Sequence, residues 1–344
     1  MVRLGAMGDI LHALPAVTAL RLAHPDWFID WVVEPRWQAL LAAGDSSGYQ
    51  SAQTPAQPLI DHLLFAATKV WRKAPFSRQT RMELKTLLAA LKGGEYDTVI
   101  DLQGAIRSSV VARMTGCKRI VGDAEPREHM ARWLYTERVA THGAHVIEQG
   151  VELVSAIAGD ALKPVQPLLP VDPAAENWAE EILPRRSTQP AVLINPGAGW
   201  GAKRWPSERY AAVAQGLVER GCRILVNAGP GEGPMAEVIV RGTRGAATAL
   251  TCSLAQLIAL TRRISLAVAG DTGPLHLACA LGRPVVGIFG PTDPSRNGPF
   301  GTRFEVLRSP MSRRDHTRYE APEAGLLTIQ SEDVLHAAIA LLYP

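Results

Sequence analysis

The sequence predicts an α/β protein made of two doubly wound parallel-sheet domains in tandem, and three observations support this fold class. Short apolar runs that end in Gly, Asp or Asn alternate with amphipathic helical stretches, as in successive βα units. Four prolines, at positions 164, 167, 170 and 173, form a stretch that suits an extended linker and disfavours helix and central strand. A chain of 344 residues with 47% hydrophobic content can bury two cores.

We place the domain boundaries at residues 1–165 and 166–330, with a final helix over 331–344 that packs back on the first domain. In the first domain the predicted strands cover residues 1–4, 28–33, 59–65, 98–102 and 119–121. Helical patterns begin near residues 9, 77, 107 and 127, and another covers 146–158. Four of the five predicted strands are thus followed by a helical pattern able to cross back over the sheet.

The second domain repeats this alternation. Its predicted strands cover residues 191–195, 223–228, 247–250, 265–269 and 284–289, with helices over 206–220 and 253–262. Two such domains would face each other across a cleft at the carboxyl ends of their strands, where open α/β sheets bind ligands.

Charge and composition limit the classes of partner. The net charge is only +3, yet residues 55–119 hold eleven Lys or Arg and five acidic residues, so an acidic partner is expected on the first domain. We expect no nucleic-acid partner. The sequence shows neither a membrane span nor a signal peptide, and its four cysteines are widely spaced, which indicates a cytoplasmic protein.

The densest motif lies at the end of the strand near residue 269, where Gly270-Asp271-Thr272-Gly273 precedes Pro274 and a helix. Free backbone N–H groups and the helix dipole suit a diphosphate there. Taken singly, Asp271 or Thr272 would only cap the helix, and His276 would be a core histidine. The loop 290–294, Gly-Pro-Thr-Asp-Pro, follows the next strand and lies on the same rim, so we interpret the two loops as one site.

A second glycine-rich loop, GAGWGAK over 197–203, follows the strand at 191–195. Its backbone can approach an anion closely, and Lys203 supplies a cation. The alternative is an ordinary loop with a surface lysine. Further along, Glu232 follows the next strand and is placed to accept hydrogen bonds from a ribose.

The N-terminal turn Gly5-Ala6-Met7-Gly8 is followed by Asp9, a carboxylate where a phosphate would be repelled. The third glycine of a dinucleotide fingerprint is absent, which argues against a dehydrogenase. No Asp-x-Asp occurs anywhere, so we predict chemistry without a metal ion, with no other cofactor, in which Lys203, Thr272 and helix termini meet the charge of a leaving diphosphate.

These motifs resemble those of the ADP-heptose:lipopolysaccharide heptosyltransferases, glycosyltransferase family 9. The resemblance covers nearly the whole chain, from GAMGDILHALPA through VIDLQG, GAKRWP and SLAQLIAL to GDTGPLHLA and FGPTDP. It implies the two-domain GT-B fold, in which the second domain holds ADP-heptose and the first holds a glycolipid acceptor. It also implies an inverting transfer of heptose without metal.

Within the family the first half resembles the heptosyltransferase I branch, which implies Kdo-lipid A as the acceptor. Trp71, Arg72 and Lys73 then correspond to a basic acceptor contact, and Gln103 lies in the VIDLQG motif. Two adjacent cations suit the carboxylates of Kdo and the phosphates of lipid A. The alternative is a solvated basic helix end. The basic face also implies peripheral attachment to an anionic membrane, at the cytoplasmic face of the inner membrane.

The resemblance further implies Asp9 as the general base and places the donor contacts on the second domain. Those donor contacts are Ala198, Gly199, Lys203, Glu232, Cys252, Asp271, Thr272, Gly273 and His276. Lys203, Thr272 and Gly273 would bind the phosphates, Asp271 and His276 the heptose or its phosphate, and Glu232 the ribose.

The chain departs from heptosyltransferase I at three places. Ala198 and Gly199 stand where that branch has two threonines, so the donor loop is closer to heptosyltransferase II, and Cys252 replaces a methionine near the adenine. Four residues precede Gly5, fewer than in the family. Two alternatives therefore stay open: the same donor used on another acceptor, either that of heptosyltransferase II or a surface polysaccharide, and a nucleotide-sugar binding protein without catalysis.

Overall fold

The protein divides into two compact units, Met1–Val171 and Asp172–Pro344, and each is described here by itself. The computed structural model describes residues 1–44, 53–314 and 319–343. The predicted α/β class is confirmed, because every paired strand in either unit runs parallel to its neighbour.

The sheet of the first unit is centred on residues 1–4. The strands are β1 (Asp30–Val33), β2 (His62–Phe65), β3 (Val99–Asp101), β4 (Ile120–Asp123) and β5 (Glu137–Val139). Val2 forms parallel bridges with Val32 on one side and Asp101 on the other, so residues 1–4 join the pair β1-β2 to the set β3-β4-β5. The resulting order, β2-β1-(1–4)-β3-β4-β5, is that of a Rossmann fold.

Four of the five predicted helical patterns form helices over this sheet, and a further short helix, Thr68–Lys73, was not predicted. The helices are α1 (Met7–Ala23), α2 (Thr68–Lys73), α3 (Arg78–Gly93), α4 (Ile106–Met114) and α5 (Val146–Ala158). The helical pattern expected near residue 127 is instead a 3-10 turn, His129–Leu134, of which only Ala131 is buried. One buried side chain gives too little core contact for a longer amphipathic helix.

The second unit has the same strand order. Its strands are β6 (Ala191–Asn195), β7 (Arg223–Asn227), β8 (Thr248–Leu250), β9 (Leu266–Gly270), β10 (Val285–Phe289) and β11 (Phe304–Arg308). They form one parallel sheet in the order β11-β10-β9-β6-β7-β8. Both units therefore reverse their strand order next to their first strand, and a ligand crevice is expected at that point in each.

The sequence did not predict the edge strands β5 and β11. Both are short, and the side chains of β5 are intermediate or exposed, while Phe304 and Glu305 of β11 are exposed. Without a continuous apolar run, an edge strand has little signal in a single sequence.

The helices of the second unit correct one prediction about where it begins. They are α6 (Pro173–Ile182), α7 (Ser207–Val218), α8 (Gly233–Gly242), α9 (Leu254–Thr261), α10 (Gly273–Ala280), α11 (Pro294–Asn297) and α12 (Ser331–Leu342). Pro173, which we placed in the linker, begins α6, and the Asp172 carboxylate caps it by accepting from Ala175 N. Proline suits a first helical turn because its missing N–H has no partner there in any case.

The boundary between the units also lies later than residue 165. Leu168 N donates to Thr18 Oγ1 and Val171 N donates to the Pro55 carbonyl, and these bonds attach the proline-rich segment to the first unit. At the other end, α12 packs in the second unit, where Val334, Ala338 and Leu341 are part of the core. The apolar face of α12 is thus buried against α7 and strands of its own sheet, and its expected packing on the first domain stays a prediction.

Candidate active site

Each unit carries its predicted site loops at the point where the strand order reverses. In the first unit, residues 1–4 and β3 are neighbours, so the loops 5–9 and 102–104 lie side by side. In the second unit β6 and β9 are neighbours, which places loop 196–203 beside loop 270–273. The sequence motifs thus lie where an open α/β sheet binds ligands.

Asp9 lies in the first turn of α1, with its side chain one-third exposed. Its Oδ2 accepts a hydrogen bond from Ala6 N at 3.0 Å. Its Oδ1 lies 3.3 Å from Arg3 Nη2, and Oδ2 lies 3.8 Å from Arg127 Nη1. The carboxylate is therefore held in one orientation by the backbone and Arg3 and still reaches solvent.

Gly5 shapes the turn that precedes Asp9. Its φ is +148°, a conformation that L residues with a side chain rarely adopt. A Cβ at this position would also lie 2.6 Å from Trp37 Nε1. Glycine is required here both for the backbone angle and for the close approach of the indole ring.

Arg3 and Arg127 are the residues near Asp9 that the sequence analysis missed. The Arg3 side chain is 13% exposed, and its guanidinium also donates to the carbonyls of Asp9 and Leu102. Burial lowers the pKa of this guanidinium, and the neighbouring Asp9 carboxylate opposes that effect. Arg3 thus ties the two loops of the switch point together. A basic residue in an otherwise apolar first strand was the available signal.

The Gln103 side chain is buried and hydrogen-bonded to the backbone of the first strand. It is 6% exposed, and its Oε1 accepts from Leu4 N at 2.8 Å. The loop around it is held by Asp101, which accepts from Gln103 N at 2.9 Å and from Tyr135 Oη at 2.9 Å. Its Oε1 oxygen therefore secures the first strand, and the predicted contact of Gln103 with an acceptor stays a prediction.

The segment Trp71-Arg72-Lys73 lies at the end of α2 and divides into two parts. Trp71 is half-buried against the core and its Nε1 donates to Glu83 Oε2 at 2.6 Å, so it anchors the helix. Arg72 and Lys73 are exposed. The two cations are thus exposed, whereas the indole N–H is already bonded to Glu83.

Further cations lie near the start of α2. The pKa of Lys69 lies below its ordinary value, first through partial burial and then through the repulsion of Arg36, Arg107 and Arg72, which the Glu34 carboxylate opposes. Arg36 also pairs with Glu34 at 3.2 Å. We call Arg36, Lys69, Arg72 and Arg107 the basic cluster, and its mutual repulsion favours a bound anion.

In the second unit Asp271 joins three predicted or neighbouring side chains. Its Oδ2 accepts from Lys203 Nζ at 2.5 Å and from Thr292 Oγ1 at 2.7 Å, and its Oδ1 lies 3.1 Å from His276 Nε2. Thr292 belongs to the 290–294 loop, so the inference that the two loops share one rim is confirmed. Thr292 itself was not among the predicted site residues.

The ion pair of Asp271 is almost enclosed, with side-chain exposures of 13% for Lys203 and 8% for Asp271. Burial alone raises the pKa of the Asp271 carboxyl, but the hydrogen bond with His276 and the charge of Lys203 outweigh it, and the pKa lies well below its ordinary value. Asp271 is thus a fixed negative charge that orients Lys203 and His276.

The first turn of α10 is left open for a ligand. Thr272 is the N-cap residue and makes no side-chain cap hydrogen bond; its hydroxyl donates to the Gly270 carbonyl at 3.2 Å. Asp271 is engaged with Lys203 and its neighbours, so the capping alternative is met by neither residue. The backbone at Thr272 and Gly273 remains suited to an anion.

Loop 196–203 lies against Glu232. The Glu232 Oε2 accepts from Gly229 N at 2.8 Å, and a Cβ on Gly197 would lie 1.9 Å from the Glu232 carboxylate. Only glycine allows this approach. The Trp200 ring lies beneath Lys203, with Nζ 4.9 Å from its centroid, which adds a cation–π contact to the ion pair.

The remaining predicted donor residues are Ala198, Gly199 and Cys252. Ala198 is buried, and its carbonyl accepts from Arg204 Nε at 3.4 Å. Apart from its two neighbours in the chain, no described residue has an atom within 4 Å of a Cβ built on Gly199, so the described part of the loop is open there. Cys252 is half-buried just before α9, and burial raises the pKa of its thiol to about 11, which keeps it neutral at pH 7.

In residues 1–44, 53–314 and 319–343, no group of three His, Cys, Asp or Glu side chains is arranged to hold a metal ion. In the same ranges, none of the helices combines the length and apolar composition needed to cross a bilayer.

Comparison with known proteins identifies the family. The sequence profile of glycosyltransferase family 9 (heptosyltransferase) matches residues 84–326. The chain is 30% identical over 345 residues to lipopolysaccharide heptosyltransferase 1 of Escherichia coli K12, with 99% of each chain covered. It is 29% identical to lipopolysaccharide heptosyltransferase 1 of Pseudomonas aeruginosa PAO1, covering 88% of this chain and 81% of that one.

A solved structure agrees with this relationship. The E. coli heptosyltransferase WaaC with ADP superposes with a TM-score of 0.78 at 26% identity, and 97% of each chain is covered. The predicted GT-B architecture is the fold of these structural neighbours. With matches over most of its length in both sequence and structure, the chain belongs to glycosyltransferase family 9, the heptosyltransferases.

Proposed function

We propose that this protein transfers L-glycero-D-manno-heptose from ADP-heptose to the Kdo of Kdo-lipid A, with inversion and without a metal ion, in lipopolysaccharide inner-core synthesis. One observation carries the proposal. A partly exposed carboxylate lies at the switch point of the first unit, and a lysine held by a buried aspartate lies at that of the second.

The donor contacts belong to the second unit. Lys203 and the open backbone of Thr272 and Gly273 offer positive charge and N–H donors to the two phosphates of ADP. Asp271 orients Lys203 and His276 toward the heptose phosphate, and the Glu232 carboxylate accepts from the ribose. Ala198, Gly199 and Cys252 complete the walls around the nucleotide.

The base belongs to the first unit. Asp9 would accept the proton of the acceptor hydroxyl as its oxygen attacks heptose C1, while the bond from C1 to the ADP phosphate breaks. Arg3 holds Asp9 in place through Oδ1 and the backbone carbonyl, so the solvent-facing part of the carboxylate stays directed.

The acceptor is a glycolipid that carries carboxylates and phosphates. The basic cluster together with Lys73 provides several cations around α2, and arginine binds carboxylate or phosphate through two parallel hydrogen bonds. This protein would then work at the cytoplasmic face of the inner membrane as a peripheral enzyme, attracted to anionic lipid.

The direct test is an acceptor trial. Purified protein is incubated with ADP-heptose and either Kdo-lipid A or its mono-heptosylated product, and the lipids are measured by mass spectrometry. We expect one heptose added to Kdo-lipid A, and the same rate after EDTA treatment. Addition only to the mono-heptosylated lipid would contradict the choice of acceptor and favour the second-heptose reaction, to which the GAGWGAK loop points. Loss of the reaction on EDTA treatment, restored by a divalent cation, would refute metal independence.

A further inference from the structure

The turn between α2 and α3 and the outer face of α3 form an exposed surface outside the candidate active site. Residues 68–92 contain seven Lys or Arg and one acidic residue. That acidic residue, Glu83, accepts from Trp71 Nε1 and from Gln79 Nε2, so its carboxylate is occupied by neighbours. The segment therefore keeps a large excess of positive charge.

The cations of α3 share one face. Arg78, Arg81 and Lys85 are spaced by three and four residues, which places them on one side of a helix together with Met82. All four side chains are exposed. The opposite side of α3 is the core side, where Thr80, Leu87 and Leu91 are buried.

Apolar side chains protrude among these cations. Phe76 is 88% exposed and Met82 is 59% exposed. Phe76 lies in the turn between the two helices, one residue before Ser77, whose hydroxyl caps α3 by accepting from Thr80 N. The cap and the Thr80 hydroxyl bond to the Ala74 carbonyl fix this turn, so Phe76 is presented on an ordered support.

We propose that Phe76, Arg78, Arg81, Met82 and Lys85, here named the lipid face, form the surface by which the protein binds an anionic bilayer. Interleaved cations and exposed apolar side chains suit a bilayer interface, because the cations bind anionic headgroups while an aromatic side chain inserts between them. The charge of the segment selects this partner over a neutral surface. The inference rests on the proposed lipid-linked acceptor and specifies where the lipid is approached.

The placement also has a functional reason. The lipid face follows directly after α2, which carries Arg72 and Lys73 of the proposed acceptor contact. Binding of the bilayer through the turn at Phe76 would hold the headgroup region next to these cations. An acceptor anchored in that bilayer then meets the basic cluster without leaving the membrane.

The test is vesicle co-sedimentation of the full chain. Vesicles of phosphatidylcholine with phosphatidylglycerol are compared with pure phosphatidylcholine, and we expect binding only to the former. Because each basic residue near such a surface contributes about tenfold or less in affinity, reversing Arg78, Arg81 and Lys85 to Glu should weaken binding by about 100-fold. F76S should weaken it by about tenfold, through the lost insertion of one aromatic ring.

Matched controls separate this surface from net charge and from the proposed function. Reversing the exposed Lys118, Arg241 and Arg303 to Glu changes the charge equally, and F304S removes another exposed ring; both should bind vesicles within about threefold of wild type. All variants should keep wild-type turnover on a water-soluble acceptor lacking acyl chains. Vesicle binding that survives the triple reversal, or that needs no anionic lipid, would overturn the lipid face. Absence of turnover by the wild-type protein on the soluble acceptor would instead contradict the proposed function.

Discussion

Asp271 determines how the donor-side residues are arranged, because its carboxylate accepts from Lys203, His276 and Thr292 at once. From the sequence, Asp271 is expected to contact the sugar or its phosphate directly. In the structure both carboxylate oxygens of Asp271 are already engaged by protein side chains, which favours a positioning role. A buried carboxylate of this kind stabilises the fold only while it is ionised and paired.

The residue-scale prediction is that D271N lowers the free energy of unfolding by about 3–5 kcal/mol at pH 7, since it leaves Lys203 buried without its counter-charge. The pKa of Asp271 is lowered in the folded protein, so its contribution is complete above the ordinary aspartate pKa. That contribution is lost as the pH falls through the folded value. Urea unfolding of both proteins between pH 7 and pH 3 measures the difference, which should be constant at first and begin to shrink below about pH 4.

T292V provides the matched control, since it removes one hydrogen bond to the same oxygen and keeps the ion pair with Lys203. Because the acceptor is an ionised carboxylate, it should cost about 1.5–3 kcal/mol, less than D271N, and show a smaller pH dependence. A D271N protein as stable as wild type at pH 7 would show that the ion pair does not stabilise this unit.

Several residue roles could not be read from the sequence because they depend on contacts far apart in the chain. Gln103 Oε1 binds Leu4 N across 99 positions, and Arg3 reaches the Leu102 carbonyl across the same separation. A local sequence motif identifies the residues of one loop but not the loop that lies beside it. Asp9, Lys203, Asp271 and His276 could be proposed from the sequence because each belongs to the loop or the helix start that follows a strand.

At the scale of elements, helix caps decide where the second unit begins. Asp172 accepts from Ala175 N at 3.0 Å, and Pro173 is the first residue of α6. The proline-rich stretch was interpreted as a linker throughout, since proline interrupts helices. Its last proline has the opposite effect, because an N-cap followed by proline is a favourable helix start.

The element-scale prediction concerns this cap. D172A should lower the free energy of unfolding of the second unit by about 1 kcal/mol, because the N–H groups of the first turn lose their acceptor. D172N keeps an acceptor of the same length and should stay within about 0.5 kcal/mol of wild type. Denaturant unfolding followed by circular dichroism measures both. Equal stability of D172A and wild type would show that α6 does not depend on its cap.

On the scale of the whole molecule, one strand order occurs twice with different chemistry at its switch point. The first unit has Asp9 paired with Arg3, and the second has Lys203 paired with Asp271. Alternation of apolar runs and helices predicted both sheets, because central parallel strands are continuous apolar runs. The edge strands, the 3-10 turn and the packing of α12 were not predictable, because they depend on which faces remain uncovered after the sheets form.

In the proposed function, acid–base chemistry belongs to the first unit and donor binding belongs to the second. The two functions should therefore respond separately to substitution. Substitution of the base in the first unit should leave the affinity for ADP unchanged, because ADP binding does not involve the acceptor hydroxyl.

The most direct measurement compares D9N with wild type for heptose transfer and for ADP binding by calorimetry. We predict that transfer falls by at least about 100-fold, because the acceptor hydroxyl loses its base, while the Kd for ADP stays within about twofold. D26N, which changes an exposed aspartate a few residues past α1, should match wild type in both. Transfer within about threefold of wild type for D9N would contradict the assignment of Asp9 as the base, and a parallel loss of ADP binding would contradict the separation of the two functions.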